Sequence, residues 1–148
     1  FQPGFKGNLS DINASLLEFQ IKKEKQNTNK RIKLYNLYKE KISKYIQIPL
    51  SSKFKFRDFH LFPIGLNSKK ERDYVMKELF KKKIPVTVNY KAISQLSFYK
   101  KKYKSDCKIS ENWGSRTFSL PFHLNLTKKQ INYITNTLIA IIKKIRKL

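Results

Sequence analysis

A helical spacing of apolar residues over the first third of the chain is the feature that most restricts its fold. Ser10 and Asp11 favour a helix start, and apolar residues then recur three or four positions apart, with a weaker pattern over 22–30. Pro49 cannot continue a helix. The pattern predicts one long helix, or two in tandem, from about Ser10 to Tyr45. We expect an element of this length to span two domains rather than fold back on its own sheet.

Three later segments have the sequence of β-strands, because they alternate apolar and polar residues or are rich in aromatics. They cover residues 56–64, 84–88 and 116–120. Since helical segments lie between them, we predict an α+β fold in which helices cover a small sheet of three to four strands. We divide the chain into an interdomain segment with the long helix, 1–48, and a small domain, 49–148.

Two capping boxes mark the starts of the remaining long helices. In this pattern a hydroxyl residue and a Glu or Gln three positions later satisfy each other's free backbone N–H groups. The pairs are Ser68 with Glu71 and Thr127 with Gln130. The first helix is predicted to run to about Lys82, and the second to carry one apolar face to the end of the chain.

The segment between the second and third strands is predicted to be less regular. A short helix is expected within 92–103, whereas 104–114 is polar and is interpreted as irregular. The four glycines are scattered, so a glycine-rich phosphate loop is excluded. Two histidines and one cysteine lie too far apart in sequence to predict a metal site. The chain therefore lacks the motifs of a complete active site.

The net charge of +23 leaves a nucleic-acid-binding function open. However, 28 of the 33 basic residues are Lys, whereas Arg is preferred for bidentate phosphate and base contacts. The lysines are spread over every segment, which favours a general drift in amino-acid composition, rather than nucleic-acid binding, as the source of the charge. Cys107 is the single cysteine and fits a reducing, cytoplasmic compartment. No apolar run approaches the roughly 18 residues needed to span a bilayer, so we expect no membrane contact.

Three polar residues have both a functional and a purely structural interpretation. His60 either faces a substrate or cofactor, or lies at the sheet surface with one nitrogen satisfied. His123 follows a strand, where ligand contacts are common, but it could equally bond backbone carbonyls of a turn. Asn8 precedes a helix start, where an amide could bind phosphate, yet the residues alone favour an ordinary turn position.

Four ordered segments together resemble the DegT/StrS-type family of sugar aminotransferases. They are Pro-Gly-Phe-Lys-Gly-Asn-Leu-Ser-Asp-Ile-Asn-Ala at 3–14, Asp-Phe-His-Leu-Phe-Pro-Ile at 58–64, Lys-Ile-Pro-Val-Thr-Val-Asn-Tyr at 83–90, and Arg-Thr-Phe-Ser-Leu-Pro-Phe-His-Leu-Asn-Leu-Thr at 116–127. The segments keep the family's order and spacing over nearly the whole chain. The first is most similar to the branch that makes sugars of the UDP-4-amino-4-deoxy-arabinose type.

This resemblance implies the small carboxy-terminal domain of a fold-type I transferase that depends on pyridoxal 5′-phosphate. It implies a homodimer that shares its cofactor site across subunits and moves an amino group from glutamate to a nucleotide-linked keto-sugar for cell-surface polysaccharide. It also implies that the catalytic lysine belongs to a large amino-terminal domain outside this chain. Because the chain opens on Phe1 rather than Met, we expect it to be part of a longer protein and inactive alone.

The resemblance also implies roles for individual residues. Asn8, with Lys6 as the second choice, is expected to contact the cofactor phosphate of the neighbouring subunit. The positions that line the substrate side in relatives correspond to Asn89 and Ser94, and His60, Tyr90 and His123 are further candidates for substrate binding. The chain departs from the family at Asn89, where a His is usual, and at Ser94. Because of these departures the identity of the sugar stays open. Two alternatives to an active enzyme also stay open: an inactive remnant of the enzyme and a basic nucleic-acid-binding domain.

Overall fold

The computed structural model describes residues 7, 9–49, 59–102 and 106–147. In chain order its elements are α1 (Asp11–Ile42), β1 (Phe62–Gly65), α2 (Lys69–Lys81), a 3-10 turn (Ile93–Gln95), α3 (Ser97–Lys102), α4 (Lys108–Arg116), β2 (Thr117–Leu120) and α5 (Lys128–Arg146). The α+β class predicted from the sequence is confirmed. None of the described helices combines the length and apolar character needed to cross a membrane.

Helix α1 is one continuous helix, as one of the two sequence interpretations predicts. The Ser10 hydroxyl accepts a hydrogen bond from the Asn13 backbone N–H at 3.3 Å and so caps the first turn. Buried residues occur only near its other end, where Leu34, Tyr35, Tyr38 and Ile42 lie one or two turns apart. That spacing turns the last quarter of the helix toward the core.

The sheet has two strands among the described residues, fewer than the three to four predicted. β1 and β2 are antiparallel, with Phe62 opposite Leu120 and Gly65 opposite Thr117. The segment predicted as the middle strand contributes a single bridge, from Thr87 to Ser119. Pro85 has no N–H to donate, and the N–H of Ile84 bonds the Leu79 carbonyl that ends α2. Of the first predicted strand, 56–58 lie outside the described residues.

The two faces of the sheet have different surroundings. Phe62, Ile64, Phe118 and Leu120 share one face and join a core with apolar residues of α1, α2 and α5. Pro63, Gly65, Thr117 and Ser119 occupy the opposite face. Near its Gly65 end this second face is covered by Trp113 of α4, so closely that a methyl group at Gly65 would lie 2.5 Å from the Trp113 Cζ3 atom.

Helix α4 corrects the prediction that residues 104–114 are irregular. Its N-cap residue, Cys107, makes no side-chain capping bond, so the usual start signal is missing from the sequence. Gly114 is needed inside this helix because a Cβ there would lie 2.8 Å from the backbone nitrogen of Ala92. Helix α4 is therefore in close contact with the 90–92 segment at Gly114.

The two predicted helix starts are confirmed, with one difference. At α5 both halves of the Thr127–Gln130 capping box form. At α2 the Ser68 hydroxyl accepts from the Glu71 N–H at 3.1 Å, but the Glu71 carboxylate accepts from the N–H of Asn67 instead of that of Ser68. The other Glu71 oxygen accepts from Arg146 Nε at 2.7 Å, which ties α2 to α5.

Candidate functional site

One end of the sheet gathers several of the polar residues singled out in the sequence. Phe62 pairs with Leu120, so the chain just before β1 and the chain just after β2 leave the sheet at the same end. His60 precedes β1 and His123 follows β2, and both are exposed. The backbone carbonyl of His123 accepts from the Leu126 N–H at 3.1 Å in a tight turn.

A groove of about 250 Å³ opens on the second face of the sheet at this end. We call it the neutral groove, and it is defined by Leu61, Pro85, Thr87, Asn89, Ser119 and Phe122. Asn89 reaches it because the bridge between Thr87 and Ser119 holds the 85–89 segment beside β2. Its walls are apolar, and its polar groups are hydroxyls and an amide.

Two buried oxygen atoms in the neutral groove lack hydrogen-bond partners among the described residues. They are the Asn89 Oδ1 atom and the Ser119 Oγ atom. Ser119 is only 3% exposed. Since a buried polar atom normally finds a partner, these two oxygens are exceptions among the described residues.

Ser94 has a different environment from Asn89. Its hydroxyl donates to the Glu111 Oε1 atom at 2.6 Å, which joins the 3-10 turn to α4. Hydrogen bonds from the Ser94 hydroxyl and then the Gln95 side chain hold the pKa of the Glu111 carboxyl below its usual range. Ser94 therefore fixes the position of a carboxylate.

That carboxylate lies in a second groove, of about 670 Å³, which we call the cationic groove. It is defined by Lys69, Arg72, Lys91, Gln95, Glu111 and Ser115. Three cations and one carboxylate line it, and one of these cations, Arg72, is paired with Asp73, whose Oδ1 atom lies 2.6 Å from its Nε atom. Arg72 is 8% exposed, and its Nη1 atom donates to the Thr117 carbonyl at 3.3 Å, so its guanidinium is held rigidly against β2.

The remaining predicted site residues are Tyr90, Lys6 and Asn8. Tyr90 is 70% exposed. Lys6 and Asn8, the two cofactor candidates, lie outside the described residues. No group of three or more His, Cys, Asp or Glu residues in the described part of the chain could hold a metal ion.

Sequence reasoning missed Ser119, Arg72 and Glu111 as groove residues. The alternation of side chains along β2 could have identified Ser119. Since the apolar Phe118 and Leu120 lie on the core face, Ser119 lies on the opposite face. The sequence signals for Arg72 and Glu111 were weaker, because the place of each residue in the groove depends on a neighbouring element that is distant in sequence.

The sequence matches one family profile, that of the DegT/DnrJ/EryC1/StrS aminotransferase family, over residues 2–139. A similar curated relative is a UDP-4-amino-4,6-dideoxy-N-acetyl-beta-L-altrosamine transaminase of Campylobacter jejuni, which is 29% identical over 153 residues. That match covers 97% of this chain and 40% of the relative. The chain thus spans about two fifths of the length of the curated relatives it matches.

Solved structures give the same picture of the fold. Spr1654 from Streptococcus pneumoniae, assigned as a sugar aminotransferase, is 25% identical in its PLP-form and superimposes with a TM-score of 0.85. The match covers 97% of this chain and 38% of that one. Helicobacter pylori PseC, an aminotransferase involved in the biosynthesis of pseudoaminic acid, gives a TM-score of 0.83 at 24% identity, with 97% and 40% covered.

Proposed function

This chain belongs to the DegT/DnrJ/EryC1/StrS aminotransferase family, and we propose that it forms the carboxy-terminal part of an enzyme that moves an amino group from glutamate to a nucleotide-linked keto-sugar. The proposal rests on the family match over residues 2–139. The curated relative named for a UDP-linked amino sugar supports the substrate class. The catalytic lysine then belongs to a part of the protein beyond these 148 residues.

We assign the long helix to the junction between the two parts. Ile12, Leu16, Phe19 and Ile21 in the first half of α1 are each at least 60% exposed. Apolar side chains in such number on one helix favour burial against another surface. The large domain, in the same subunit or its dimer partner, would cover them. The division at 1–48 and 49–148 stays a prediction.

The cofactor contacts are assigned to the segment just before α1. The Asn8 amide and the Lys6 ammonium are both hydrogen-bond donors, which suits a phosphate group. Pyridoxal 5′-phosphate supplies an electron sink when it is bound. This chain would then supply phosphate contacts from the segment that precedes α1.

The two grooves fit the two chemical parts of a nucleotide-linked sugar. The cationic groove, with Lys69, Arg72 and Lys91, complements the negative charge of a diphosphate. The neutral groove lies on the other side of the 85–92 segment, since Thr87 and Asn89 line one groove and Val88 and Lys91 line the other. His60 and His123 flank the same end of the sheet and remain substrate candidates, as does Tyr90.

The test is to express the longest reading frame that contains this chain and add pyridoxal phosphate. We expect a visible absorbance band and transfer of nitrogen from glutamate to a UDP-linked keto-sugar. A colourless, inactive product contradicts the proposal and favours the inactive remnant. Retention on nucleic acid that falls steeply with salt, without cofactor binding, favours the basic nucleic-acid-binding domain.

Asn8→Ala tests the cofactor assignment in that same protein. Loss of a hydrogen bond to a charged group weakens binding roughly 10- to 100-fold, so cofactor affinity should fall by that factor. Lys6→Ala should have the smaller effect of the two. Asn13→Ala is the matched control, because Asn13 is an exposed residue in the first turn of α1. Equal affinities of the Asn8 variant and this control contradict the assignment.

A further inference from the structure

Helix α4 presents two different faces to two different grooves. Glu111 and Ser115 line the cationic groove. On a second face, residues four positions apart lie one above the other, and a neighbouring row carries an isoleucine and a tryptophan. Together with one residue from the turn after α1, this face lines a third groove of about 470 Å³. We call it the indole groove, and it is defined by Gln47, Lys108, Ile109, Asn112, Trp113 and Arg116.

The indole groove lies at the far end of the sheet from the two histidines. Gln47 and Gly65 exchange two backbone hydrogen bonds of 3.1 and 2.8 Å, which hold the turn after α1 beside the last residue of β1. Trp113 packs against the same Gly65. His60 and His123 lie beyond the opposite ends of β1 and β2. The groove is therefore separate from the neutral groove and has no role in the proposed function.

Arg116 is the cation in this groove that lacks a carboxylate partner. Its Nε atom donates to the Asn112 Oδ1 atom at 2.8 Å, and its Nη1 atom donates to the Leu66 carbonyl at 2.6 Å. Both partners are neutral. Arg72 and Arg146, by contrast, each form an ion pair with a carboxylate. Since a half-buried charge is normally paired, Arg116 stands out among the described residues.

The Arg116 guanidinium is both fixed and accessible. Its two hydrogen bonds set the plane of the group, whereas a guanidinium carries five N–H donors in all. The Nη2 atom has no hydrogen-bond partner among the described residues, and unlike the Arg146 Nη2 atom it is not shielded from solvent. An anion can therefore approach it directly.

The surroundings of Arg116 favour an anion that also carries a ring. The guanidinium carbon lies 5.3 Å from the centre of the Trp113 ring, and Ile109 is 89% exposed beside it. No carboxylate lines the groove. Lys108 is a weaker attraction, because it pairs with Asp106 at 3.1 Å on the open surface. The volume falls within the roughly 300–1,000 Å³ of small-molecule sites, which exceeds what a bare inorganic anion needs.

We propose that the indole groove is a binding site for a small organic anion with a planar ring. Its carboxylate or phosphate group binds Arg116, because a guanidinium matches the geometry of both groups. Its ring contacts Trp113 and Ile109. The Asn112 amide acts through Arg116, whose guanidinium it holds in place before the anion arrives.

The test uses calorimetry on the full-length, cofactor-loaded protein with four probes. Phenyl phosphate and benzoate carry a ring, whereas inorganic phosphate and acetate carry the same anionic groups without one. At least one ring-bearing probe should bind about tenfold more tightly than its ringless counterpart, the gain from partial burial of an apolar ring. The probe that does so distinguishes a phosphate from a carboxylate ligand. Equal affinities within both pairs, or no binding, overturn the proposal.

Arg116→Gln locates the site. It should weaken binding of the preferred ring-bearing probe roughly 10- to 100-fold, as expected for a lost hydrogen bond to a charged group. Lys77→Gln is the matched control, because it removes the same charge from an exposed position on α2 that lines none of the three grooves. It should change the affinity less than about twofold. Equal weakening in both variants means a general attraction of anions to a chain of net charge +23 and overturns the site.

Ile109→Glu keeps the test decisive if Arg116→Gln does not fold. Because Ile109 is 89% exposed, this change leaves the core untouched, yet it removes an apolar contact and brings a negative charge to the groove. Binding of the ring-bearing probe should fall about tenfold or more. An unchanged affinity places that probe elsewhere on the protein and overturns the proposal.

Discussion

The two ends of α1 share one continuous helix but have opposite environments. Ile12 near its start is 76% exposed, whereas Ile42 at its end is fully buried. Tyr38 contacts Phe62 of β1, with ring centroids 4.8 Å apart, and lies in the same core as α5. Apolar spacing therefore predicts the helix but does not say which turns have a partner within the same domain.

The largest expected effect comes from truncating the same residue type at each end. Ile42→Ala should lower the free energy of unfolding by about 2–5 kcal/mol, because it leaves a cavity in the core. Ile12→Ala in the same 148-residue chain should change it by less than about 0.5 kcal/mol. Urea unfolding followed by circular dichroism measures the free energy of unfolding of both variants. Similar losses in the two variants would contradict the difference between the two ends of the helix.

A smaller effect is expected just beyond the buried end of α1. Arg146 Nε donates to Glu71 Oε1 at 2.7 Å, and its Nη1 atom donates to the Tyr45 carbonyl. Because the Glu71 side chain is only 8% exposed, Arg146→Ala should cost about 2–3 kcal/mol of unfolding free energy. Arg146→Lys keeps the charge and should recover part of the loss. Full recovery would mean that the Tyr45 contact contributes nothing.

Tyr38→Phe tests a single hydrogen bond at the buried end. The Tyr38 hydroxyl donates to the Pro121 carbonyl at 2.9 Å, and its loss should cost about 1 kcal/mol. Tyr133→Phe is the matched control, because the Tyr133 hydroxyl donates to the Lys82 carbonyl at 3.1 Å from a side chain that is 52% exposed. The control should cost less, as measured by the shift in urea midpoint.

Tyr38 also predicts a dependence on alkaline pH. Burial raises the pKa of the Tyr38 phenol well above its ordinary value. The folded state therefore holds this proton more tightly than the unfolded state. Its contribution to stability is complete below about pH 10, the ordinary pKa of tyrosine, and is lost as pH rises from there toward the folded pKa. Tyr38→Phe should reduce the fall in stability above pH 10, and an unchanged slope would contradict this.

The smallest effect is expected at the exposed end of α1. Lys22 Nζ lies 2.6 Å from Glu18 Oε1, but the two side chains are 71% and 68% exposed. Glu18→Gln should change the free energy of unfolding by less than about 0.5 kcal/mol, and any difference should disappear at high salt. A larger loss that persists in salt would indicate that this end of the helix has a partner within the chain.

Much of the framework was predictable because its signals are local. The helix starts at Ser68 and Thr127 depend on residues three positions apart, and both were identified correctly. Helix α4 was missed because Cys107 gives no capping signal and its contacts come from Ala92 and Gly65, which are distant in sequence. The 84–88 strand was overpredicted because alternation does not reveal that Pro85 and Ile84 have no N–H free for pairing.

The candidate site was predictable only in part, for the same reason. Asn89 was singled out by its family resemblance, and the structure gives it a buried, unpaired oxygen. Ser119, which lines the same groove, is 30 positions away, and a β-bridge brings the two segments together. Ser94 was expected to face the substrate, and the structure bonds it to Glu111. Lys6 and Asn8 remain predictions.

The close fit of Trp113 against Gly65 limits how large residue 65 can be beside α4. A methyl group at position 65 must displace the indole, since it would approach within 2.5 Å. Trp113 lies on the same helix as Glu111, in the cationic groove, and that helix is already in tight contact with Ala92 through Gly114. A single added carbon at Gly65 would thus push against the helix that carries Glu111, although Gly65 itself lines none of the three grooves.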